Sequence, residues 1–371
     1  MKVAMFGQKR IPSREGGVEI VVEALSTRMA AKGHEVTCYN RSGHHVSGNA
    51  FDTAEQKEYE GVRLKKVPTL DKKGLAAVTS SFFAALAASF GRFDVVHIHA
   101  EGPAFMSWLP KFLGKRIVVT VHGLDWQREK WKNGFASKYI RLGEKMAVRF
   151  ADEIIVLSKN VQDYFRDTYG RETVFIPNGV TKPEILPAQK IAQEFGLEKD
   201  GYILFLGRLV PEKGIHYLLE AYRSVKTDKK LVIAGGSSDT EDYIKQLKEL
   251  AGNNPDVIFT GFVQGVTLAE LYSNAYIYVL PSDVEGMPLS LLEAMSFGNC
   301  CLVSDIPECA EVILDHAAVF SKGNVEQLRE RLQFLCDNAD AVKAYQDTAQ
   351  AYICEKYNWD EITDQTLELY R

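Results

Sequence analysis

The stretch EGMPLSLLEAMSFG, from Glu285 to Gly298, contains two glutamates eight positions apart, Glu285 and Glu293. Gly286 permits close backbone approach and Pro288 suits a first helical turn, so we predict a turn followed by a helix. The N-terminus of such a helix presents free N–H groups and a partial positive charge, which suits an anion. Carboxylates accept hydrogen bonds from hydroxyl groups. A ligand with both hydroxyl groups and a phosphate bridge would fit this stretch, and a nucleotide sugar is such a ligand.

Length and composition favour a globular protein with more than one domain. The chain has 371 residues, of which 46% are hydrophobic and 25% charged. These values are ordinary for soluble proteins, and the length allows two separate cores. No apolar run approaches the roughly 20 residues of a membrane span, and the start, MKVAMFGQKR, lacks the apolar core of a secretory signal. The six cysteines show no metal-binding spacing, so we expect buried free thiols in a reducing cytoplasm.

Charge is distributed unevenly along the chain. Residues 1–180 contain 27 Lys and Arg against 19 Asp and Glu, a net charge of +8. Residues 181–371 contain 17 against 30, a net charge of −13. The first half is therefore expected to meet an anionic partner, unless the imbalance only reflects solvated surfaces.

Short apolar runs alternate with amphipathic helical stretches in both halves of the chain. The predicted strands of the first half are KVAMF, EVTCY, VRLKKV, DVVHIH, RIVVTVH, EIIVLS and TVFIP, and those of the second are YILFLG, KLVIAGG, VIFTGF, AYIYVLP and NCCLVS. Such alternation predicts parallel sheets covered on both faces, and since it occurs twice we predict two doubly wound α/β domains. The boundary falls in Asn178–Gln189, where two prolines and a glycine interrupt the pattern. Because ligands bind beyond the carboxyl ends of such strands, we expect the site in a cleft between the domains.

Two cations follow the run YILFLG. Arg208 stands just past the predicted strand and Lys213 precedes Gly214 at a predicted helix start, so both can face the ligand. When a bond from a sugar to a diphosphate breaks, the leaving charge collects on the phosphates, and two cations aimed there would lower the barrier. Without the E-x7-E block downstream, the same pair would be interpreted as surface residues of a charged turn.

Gly16 and Gly17 lie between the first predicted strand and the first predicted helix. Adjacent glycines allow the backbone to approach a phosphate at a helix N-terminus. The spacing is not G-x-G-x-x-G, so a dinucleotide site is poorly supported. Arg10 and Arg14 flank the pair and could reach the same charge or an acceptor.

His122 ends the run RIVVTVH and precedes Gly123. At the carboxyl end of a strand we expect it to face the ligand, the alternative being a structural histidine. His97 and His99 alternate with apolar residues on one strand, and since no third metal ligand is evident we interpret His97 as packed and His99 as lying at the cleft edge. Asp125 would bind an acceptor or hold His122. No D-x-D stands at a strand end, so no metal is expected.

Basic and aromatic residues interleave in WQREKWKNGFASKYIRLGEKMAVR, which is Trp126–Arg149. Such side chains suit the bilayer interface, so an anionic membrane surface is a predicted partner of this stretch. The alternative is a loop and a solvated helix whose aromatic residues pack inward. No nucleic-acid motif accompanies the patch, so nucleic acid is not an expected partner.

Several short motifs occur together in a fixed order: an N-terminal glycine loop, FLGRLVPEKG, IAGG, VIFTGFV and the E-x7-E block. In this combination the chain resembles the retaining glycosyltransferases of family 4, which have the GT-B fold, over nearly its whole length. The resemblance implies two Rossmann-like domains facing a central cleft. Residues 1–180 would form the acceptor-side domain, residues 181–355 the nucleotide-sugar-binding domain, and residues 356–371 a helix that crosses back to the first domain.

The resemblance also implies roles for individual residues. Arg208 and Lys213 match cations that stabilise the leaving phosphate, and Glu293 matches the residue that holds the nucleotide ribose. Glu285 and His122 match residues that contact the transferred sugar. Gly16 and Gly17 would approach the donor diphosphate on closure of the cleft. The remaining implied donor contacts are Phe262, Val263, Gly286, Met287 and Leu289.

The implied reaction moves a sugar from a nucleoside diphosphate donor, with UDP as the expected nucleotide, to a hydroxyl of a glycan or lipid-linked saccharide in bacterial polysaccharide or glycolipid synthesis. Attack would occur on the face of the leaving group, whose phosphate accepts the proton, and no cofactor or metal would be needed. Two alternatives stay open: a nucleotide-sugar epimerase of the same fold, and a nucleotide-sugar-binding protein without turnover. The protein is expected in the cytoplasm or peripherally on the inner face of the cell membrane.

Overall fold

The computed structural model describes residues 1–42, 56–70, 72, 75–127, 135–236 and 240–371. These residues form two compact units. Unit 1 consists of Met1–Asn178 and Trp359–Arg371, and unit 2 consists of Gly179–Asn358. The predicted boundary at residue 180 lies within two residues of this division.

Within the described residues, unit 1 contains an eight-stranded sheet. Its strands are β1 (Lys2–Phe6), β2 (Glu35–Arg41), β3 (Glu58–Tyr59), β4 (Val62–Val67), β5 (Val95–His99), β6 (Arg116–Val121), β7 (Glu153–Val156) and β8 (Val174–Phe175). They are arranged in the order β3-β4-β2-β1-β5-β6-β7-β8, and neighbouring strands are parallel except in the β3–β4 hairpin. The strand order reverses at β1, which pairs with β2 on one side and β5 on the other.

Helices cover both faces of this sheet. They are α1 (Gly17–Ala31), α2 (Leu75–Phe90), α3 (Glu101–Ala104), α4 (Trp108–Phe112), α5 (Phe135–Phe150), α6 (Lys159–Tyr169) and, from the far end of the chain, α15 (Trp359–Glu368). Helix α1 connects β1 to β2 and so leads toward one edge of the sheet, whereas α2, α4 and α5 lie on connections that lead toward the opposite edge. Because crossovers between parallel strands are right-handed, α1 lies on one face of the sheet and the other three helices lie on the opposite face. On the first face α15 packs against α1, where Arg28 pairs with Asp360 at 3.2 Å and Lys32 with Asp364 at 2.6 Å.

The core of unit 1 explains why its central strands are mostly apolar. The central strand β5, VVHIH, is buried along its whole length, as expected for a parallel sheet covered on both faces. Against it lie small side chains of α2, including Ala84, Ala85 and Ala88, which allow the helix to approach the sheet closely.

Unit 2, taken over its described residues, contains a six-stranded sheet in which all neighbouring strands are parallel. Its strands are β9 (Tyr202–Leu206), β10 (Lys230–Ala234), β11 (Val257–Gly261), β12 (Ile277–Leu280), β13 (Cys300–Ser304) and β14 (Ala318–Phe320), in the order β11-β10-β9-β12-β13-β14. The helices are α7 (Lys190–Phe195), α8 (Ile215–Tyr222), α9 (Glu241–Ala251), α10 (Gly265–Asn274), α11 (Leu289–Ser296), α12 (Pro307–Ile313), α13 (Val325–Asp337) and α14 (Ala339–Lys356). The chain runs outward in one direction from β9 and in the other from β12, so the switch point lies between these strands. The prediction of two doubly wound α/β domains is confirmed.

The cysteines are free thiols. Burial raises the pKa of Cys38 and of Cys300 to about 12, so both stay protonated at neutral pH. None of the helices among the described residues is both long and apolar enough to cross a bilayer.

Candidate active site

Two loops leave the sheet of unit 2 at its switch point, residues 207–214 after β9 and residues 281–288 after β12. Gly214 has a φ of +64°, and a Cβ at this position would lie 2.0 Å from the carbonyl oxygen of Pro281. Only glycine therefore allows the two loops to approach this closely. The Asp283 N–H also donates to the Glu212 carbonyl oxygen at 2.8 Å. Backbone contacts thus fix the relative position of the loops, and with it that of the side chains they carry.

Lys213 and Glu285, predicted separately on the two loops, form an ion pair. The Lys213 Nζ lies 2.5 Å from the Glu285 Oε1, and the two side chains are 12% and 9% exposed. Ser282 Oγ donates to the same Oε1 at 2.6 Å. Hydrogen bonds to an ionised group are the strong ones in proteins, so this cluster is a rigid, charged centre at the carboxyl ends of β9 and β12.

Arg208 and Val263 occupy other positions at this end of the sheet. Arg208 stands two residues after the end of β9, and it is exposed. Val263 follows β11 and is half-buried, with β10 and β9 lying between its strand and β12. A ligand that reaches both Glu285 and Val263 must therefore extend across the ends of several strands.

The loop after Glu285 leads directly into α11. Pro288 immediately precedes the helix, which begins at Leu289, so the proline stands one position before the first turn in which it was predicted. Gly286, Met287 and Leu289 are all buried. Their N–H groups belong to the helix entry, where the helix dipole favours an anion or a sugar oxygen.

Glu293 lies within α11 and is half-buried. Its Oε2 accepts a hydrogen bond from the Tyr272 hydroxyl at 3.3 Å. Tyr272 is itself buried and stacks on Phe297 with ring centroids 5.2 Å apart. The hydroxyl of the buried Tyr272 thus fixes the orientation of the Glu293 carboxylate.

In unit 1, Gly16 and Gly17 stand at the N-terminus of α1, with Gly16 as the capping residue. Glu19 in the first turn accepts from the Lys9 N–H at 2.8 Å and folds the preceding loop onto the helix. Arg10, one of the two cations considered able to reach a ligand, is instead buried and pairs with the buried Glu15 at 3.1 Å. The loop is hydrogen-bonded to the end of β2, where the Ile11 N–H donates to Asn40 Oδ1 at 3.2 Å and the Arg41 N–H donates to the Lys9 carbonyl oxygen at 2.7 Å.

His97, His99 and His122 form a stack. The ring centroids of His97 and His99 are 4.2 Å apart, and His99 Nδ1 lies 3.1 Å from His122 Nε2. His97 bridges the Tyr370 hydroxyl at 2.6 Å and the Thr120 hydroxyl at 2.7 Å. The prediction that His97 is packed is confirmed.

His99 is fully buried, so its predicted place at a cleft edge was wrong. A Cβ on Gly7 would lie 2.0 Å from the His99 carbonyl oxygen, which shows how closely the β1 loop covers it. Burial lowers the pKa of His97 to about 3 and that of His99 well below its ordinary value. His122, 8% exposed, is therefore the histidine of the three nearest to the surface.

Asp125 is positioned through its backbone. Its N–H donates to Glu101 Oε2 at 2.9 Å, and Glu101 is buried. Among the described residues, no three His, Cys, Asp or Glu side chains are grouped so that they could hold a metal ion.

The basic and aromatic stretch Trp126–Arg149 is described only in part, because residues 128–134 lie outside the described residues. Trp126 and Tyr139 are half-buried. Trp126 packs on Tyr164 with ring centroids 6.0 Å apart, and Tyr139 packs on Phe105 at 5.2 Å. These two aromatic side chains thus contribute to the interior of unit 1.

Sequence reasoning missed four supporting residues: Ser282, Gly214, Tyr272 and Glu101. Ser282 and Gly214 carried a usable signal, since Ser282 is a polar residue two positions after β12 and Gly214 is a glycine directly before α8. Tyr272 and Glu101 act through contacts with residues 21 and 24 positions away in the chain, and no local pattern marks such partners.

Known proteins resemble the chain along its whole length. The family model described as Glycosyltransferase Family 4 matches residues 15–182, and the one described as Glycosyl transferases group 1 matches residues 188–352. An uncharacterised glycosyltransferase of Methanocaldococcus jannaschii is 26% identical, over 100% of this chain and 98% of its own. Among solved structures, sucrose-phosphate synthase from Thermosynechococcus elongatus has a TM-score of 0.84 at 20% identity, covering 100% of this chain and 98% of its own. Anabaena HepE in complex with UDP-glucose has a TM-score of 0.79 at 18% identity, covering 99% and 98%. The chain belongs to glycosyltransferase family 4 and has the GT-B fold.

Proposed function

We propose that this glycosyltransferase moves a sugar from a nucleoside diphosphate donor to an acceptor hydroxyl with retention of anomeric configuration. The observation that carries the proposal is the cluster of Lys213, Glu285 and Ser282 at the switch point of unit 2, next to the N-terminus of α11. It combines a cation for phosphate with a carboxylate for hydroxyl groups, the two kinds of contact that a nucleotide sugar needs.

Lys213 is suited to stabilise the leaving diphosphate. Its ammonium group carries three N–H donors, and the bond to Glu285 uses one of them. The remaining two can donate to phosphate oxygens, where negative charge develops as the glycosidic bond breaks. The exposed Arg208 on the same loop supplies a second cation. The phosphate then accepts the proton of the attacking hydroxyl, so that no side chain need act as a covalent nucleophile.

The carboxylates are suited to hold the two sugars of the donor. Both hydrogen bonds to Glu285 within the described residues end on Oε1, which leaves Oε2 to accept from a hydroxyl of the transferred sugar. Glu293, oriented by Tyr272, would accept from the ribose hydroxyls. The N–H groups of Gly286, Met287 and Leu289 would donate to sugar or phosphate oxygens, and Val263 would line the base.

UDP is the proposed donor nucleotide, supported by the complex of Anabaena HepE with UDP-glucose. The acceptor is proposed to be a glycan or lipid-linked saccharide bound mainly by unit 1, in bacterial polysaccharide or glycolipid synthesis. The +8 charge of residues 1–180 supports an anionic, lipid-diphosphate acceptor at the inner face of the cell membrane.

Donor binding can be tested by thermal shift with UDP-, GDP- and ADP-sugars, because a ligand that binds the native state raises its melting temperature. We expect UDP-sugars to give the largest shift. Glu293→Ala should reduce this shift while slowing chemistry less, and Glu330→Ala, an exposed carboxylate of α13, serves as the matched control. A large loss of kcat at unchanged donor affinity would contradict the ribose role.

Turnover can be tested by following release of the nucleoside diphosphate with and without candidate acceptors. Release only in the presence of an acceptor is expected of a transferase and would exclude the epimerase. The anomeric configuration of the product, read by NMR, decides retention against inversion. Activity should persist in excess EDTA, and its loss with recovery on adding Mn²⁺ or Mg²⁺ would overturn the metal-independent proposal.

A further inference from the structure

The outer surface of unit 1 over α2, α4 and α5 carries large apolar side chains in contact with solvent. Phe90 at the end of α2 is 74% exposed and Phe112 at the end of α4 is 72% exposed. Five more large apolar side chains on or next to these helices are also exposed: Leu75, Phe82, Phe83, Leu113 and Leu142. We call these seven residues the apolar face.

The residues of the apolar face lie on one side of the sheet. On α2, Phe82, Phe83 and Phe90 follow Leu75 by seven, eight and fifteen positions, which places all four on one side of a helix with 3.6 residues per turn. Small residues of α2 occupy its buried side. Helix α2 packs against α4 and α4 against α5, and the Phe112 ring lies 5.6 Å from the Phe150 ring of α5. The exposed apolar residues therefore form neighbouring parts of one surface.

Every exposed charge on the described residues of these three helices is positive. The sequence of α2 contains no charged residue, and the single carboxylate in α5, Glu144, is buried. Helix α5 exposes Lys138, Arg141, Lys145 and Arg149. Their spacing of three, four and four residues places them along one helical stripe, next to the exposed Leu142.

In their described residues, these three helices expose apolar and cationic side chains but no carboxylate, which fits an anionic lipid bilayer; the nearby Asp152, 24% exposed, is neutralised by its ion pair with Lys111 of α4. Contiguous exposed apolar patches mark interaction sites, and apolar side chains flanked by Lys and Arg bind at the boundary between headgroups and acyl chains. A second copy of the chain fits poorly, because a two-fold contact of this surface with itself would bring cations against cations.

We propose that unit 1 docks on an anionic bilayer through this surface, with Phe82, Phe83, Phe90 and Phe112 entering the interface and the stripe on α5 contacting the headgroups. This differs from docking through the aromatic residues of Trp126–Arg149, since Trp126 and Tyr139 pack inward. The inference deepens the proposed function and rests on it for its purpose, which is access to a lipid-linked acceptor. The test of this inference does not require a measurement of enzyme turnover.

The test is co-sedimentation of the full chain with vesicles of phosphatidylcholine alone or mixed equally with phosphatidylglycerol. Binding is expected to the mixed vesicles and to weaken with salt, because the Debye length falls from about 10 Å at 0.1 M to about 3 Å at 1 M. Replacing Phe90 and Phe112 together by Ser should lower the partition coefficient about 10-fold or more. Replacing Lys138 and Lys145 together by Glu should lower it at least about 30-fold and remove the preference for phosphatidylglycerol.

Matched controls lie in unit 2. Phe334→Ser changes a phenylalanine that is 51% exposed on α13, and the paired Lys245→Glu and Lys248→Glu reverse two exposed cations of α9. Both controls should bind vesicles like the wild type. Equal binding to neutral and mixed vesicles, or wild-type binding by both the Phe90/Phe112 and the Lys138/Lys145 variants, would overturn the proposal.

Two further measurements separate this proposal from others. If light scattering shows a dimer that the Phe90/Phe112 variant dissociates, and no vesicles bind, the surface is a self-association face and the proposal fails. UDP-sugar thermal shifts on the same variants test donor binding independently. Vesicle binding without any donor binding would retain the docking proposal and refute the proposed function. Donor binding without any vesicle binding would retain the proposed function and refute the docking proposal.

Discussion

Lys213 and Arg208 carry the same charge on one loop but stand in different surroundings. Lys213 is largely buried against Glu285, whereas Arg208 is exposed. Lys213→Ala should lower kcat about 100-fold or more, since a cation at the leaving phosphate is lost. It should also lower the free energy of unfolding by about 1.5–3 kcal/mol, because Glu285 stays buried without its partner. Arg208→Ala should lower kcat similarly with a smaller change in stability.

Steady-state kinetics and urea unfolding of the two variants check this prediction. Lys248→Ala, which removes an exposed cation of α9 in the same unit, should change neither quantity. Wild-type turnover of either active-site variant, with its fold intact, would be incompatible with cations acting on the phosphate.

The buried histidines predict a pH dependence of stability. Their pKa values are lowered in the folded state, to about 3 for His97, whereas in the unfolded chain they lie near 6.5. Below about pH 6.5 the unfolded state therefore binds protons that the folded state does not, so stability is present above this pH and is lost on acidification. Below about pH 6.5, each such histidine should lower the free energy of unfolding by about 1.4 kcal/mol for every unit by which the pH falls.

His97→Gln retains a donor and an acceptor for Tyr370 and Thr120 but does not titrate. Its free energy of unfolding, measured by urea between about pH 6 and pH 4, should fall less steeply than that of the wild type, by about 1.4 kcal/mol per pH unit. His316→Gln, on a partly exposed histidine, is the control. Equal slopes for wild type and His97→Gln would show that His97 does not contribute.

Among the loops of unit 2, the approach of residues 207–214 to residues 281–288 depends on one glycine. Gly214 and Gly196 have almost the same positive φ, +64° and +62°, but a Cβ at Gly196 would have its nearest neighbour at 3.7 Å, against 2.0 Å at Gly214. Alanine at either position costs about 1–2 kcal/mol for the left-handed conformation. Gly214→Ala should cost a further 1–3 kcal/mol or so, because the loops must move apart.

Urea unfolding of Gly214→Ala and Gly196→Ala measures this difference directly. We also expect Gly214→Ala to reduce turnover strongly, since Lys213 and Glu285 would separate, whereas Gly196→Ala should retain it. If both variants lose the same stability and activity, the close approach is not what positions the pair.

The elements show which features could be predicted from the sequence. Buried strands such as β9 and β12 were predicted because their apolar runs, YILFL and IYVL, are continuous and end in polar loops. The segment of α3 and α4 was not, since Pro103 and Pro110 break its periodicity into short pieces. The composition of α2 is typical of a buried helix, so the exposure of Phe90 could not be foreseen.

The candidate site was predictable as a set of residues but not as an arrangement. Lys213 and Glu285 are 72 residues apart, and their pairing depends on β9 lying next to β12, which no local pattern reveals. The burial of His99 likewise depends on the distant Gly7. Motif order identified the residues, whereas tertiary contacts determined which of them are paired, covered or exposed.

For the molecule as a whole, the contribution of α15 to unit 1 can be measured by deletion. Removing residues 359–371 takes away the packing on α1, two ion pairs and the bond from Tyr370 to His97. We expect the melting temperature of unit 1 to fall by roughly 10 °C or more. Differential scanning calorimetry should show the change in the transition of unit 1, while that of unit 2 is retained.

Tyr370→Phe, which removes one buried hydroxyl, provides the graded comparison and should lower the melting temperature by about 2–4 °C. An unchanged melting temperature after the deletion would mean that α15 does not stabilise unit 1.

The discontinuity of unit 1 has a consequence for its biosynthesis. The ribosome must add the 180 residues of Gly179–Asn358 before it reaches Trp359, which takes about 10–40 s at common rates of translation. During this time the nascent unit 1 lacks the helix that covers α1 and the hydroxyl that meets His97, and it presents an incomplete surface to chaperones. Unit 2 is continuous and can complete its fold as it emerges. The part of the chain that is translated first is therefore the part whose folding is completed last.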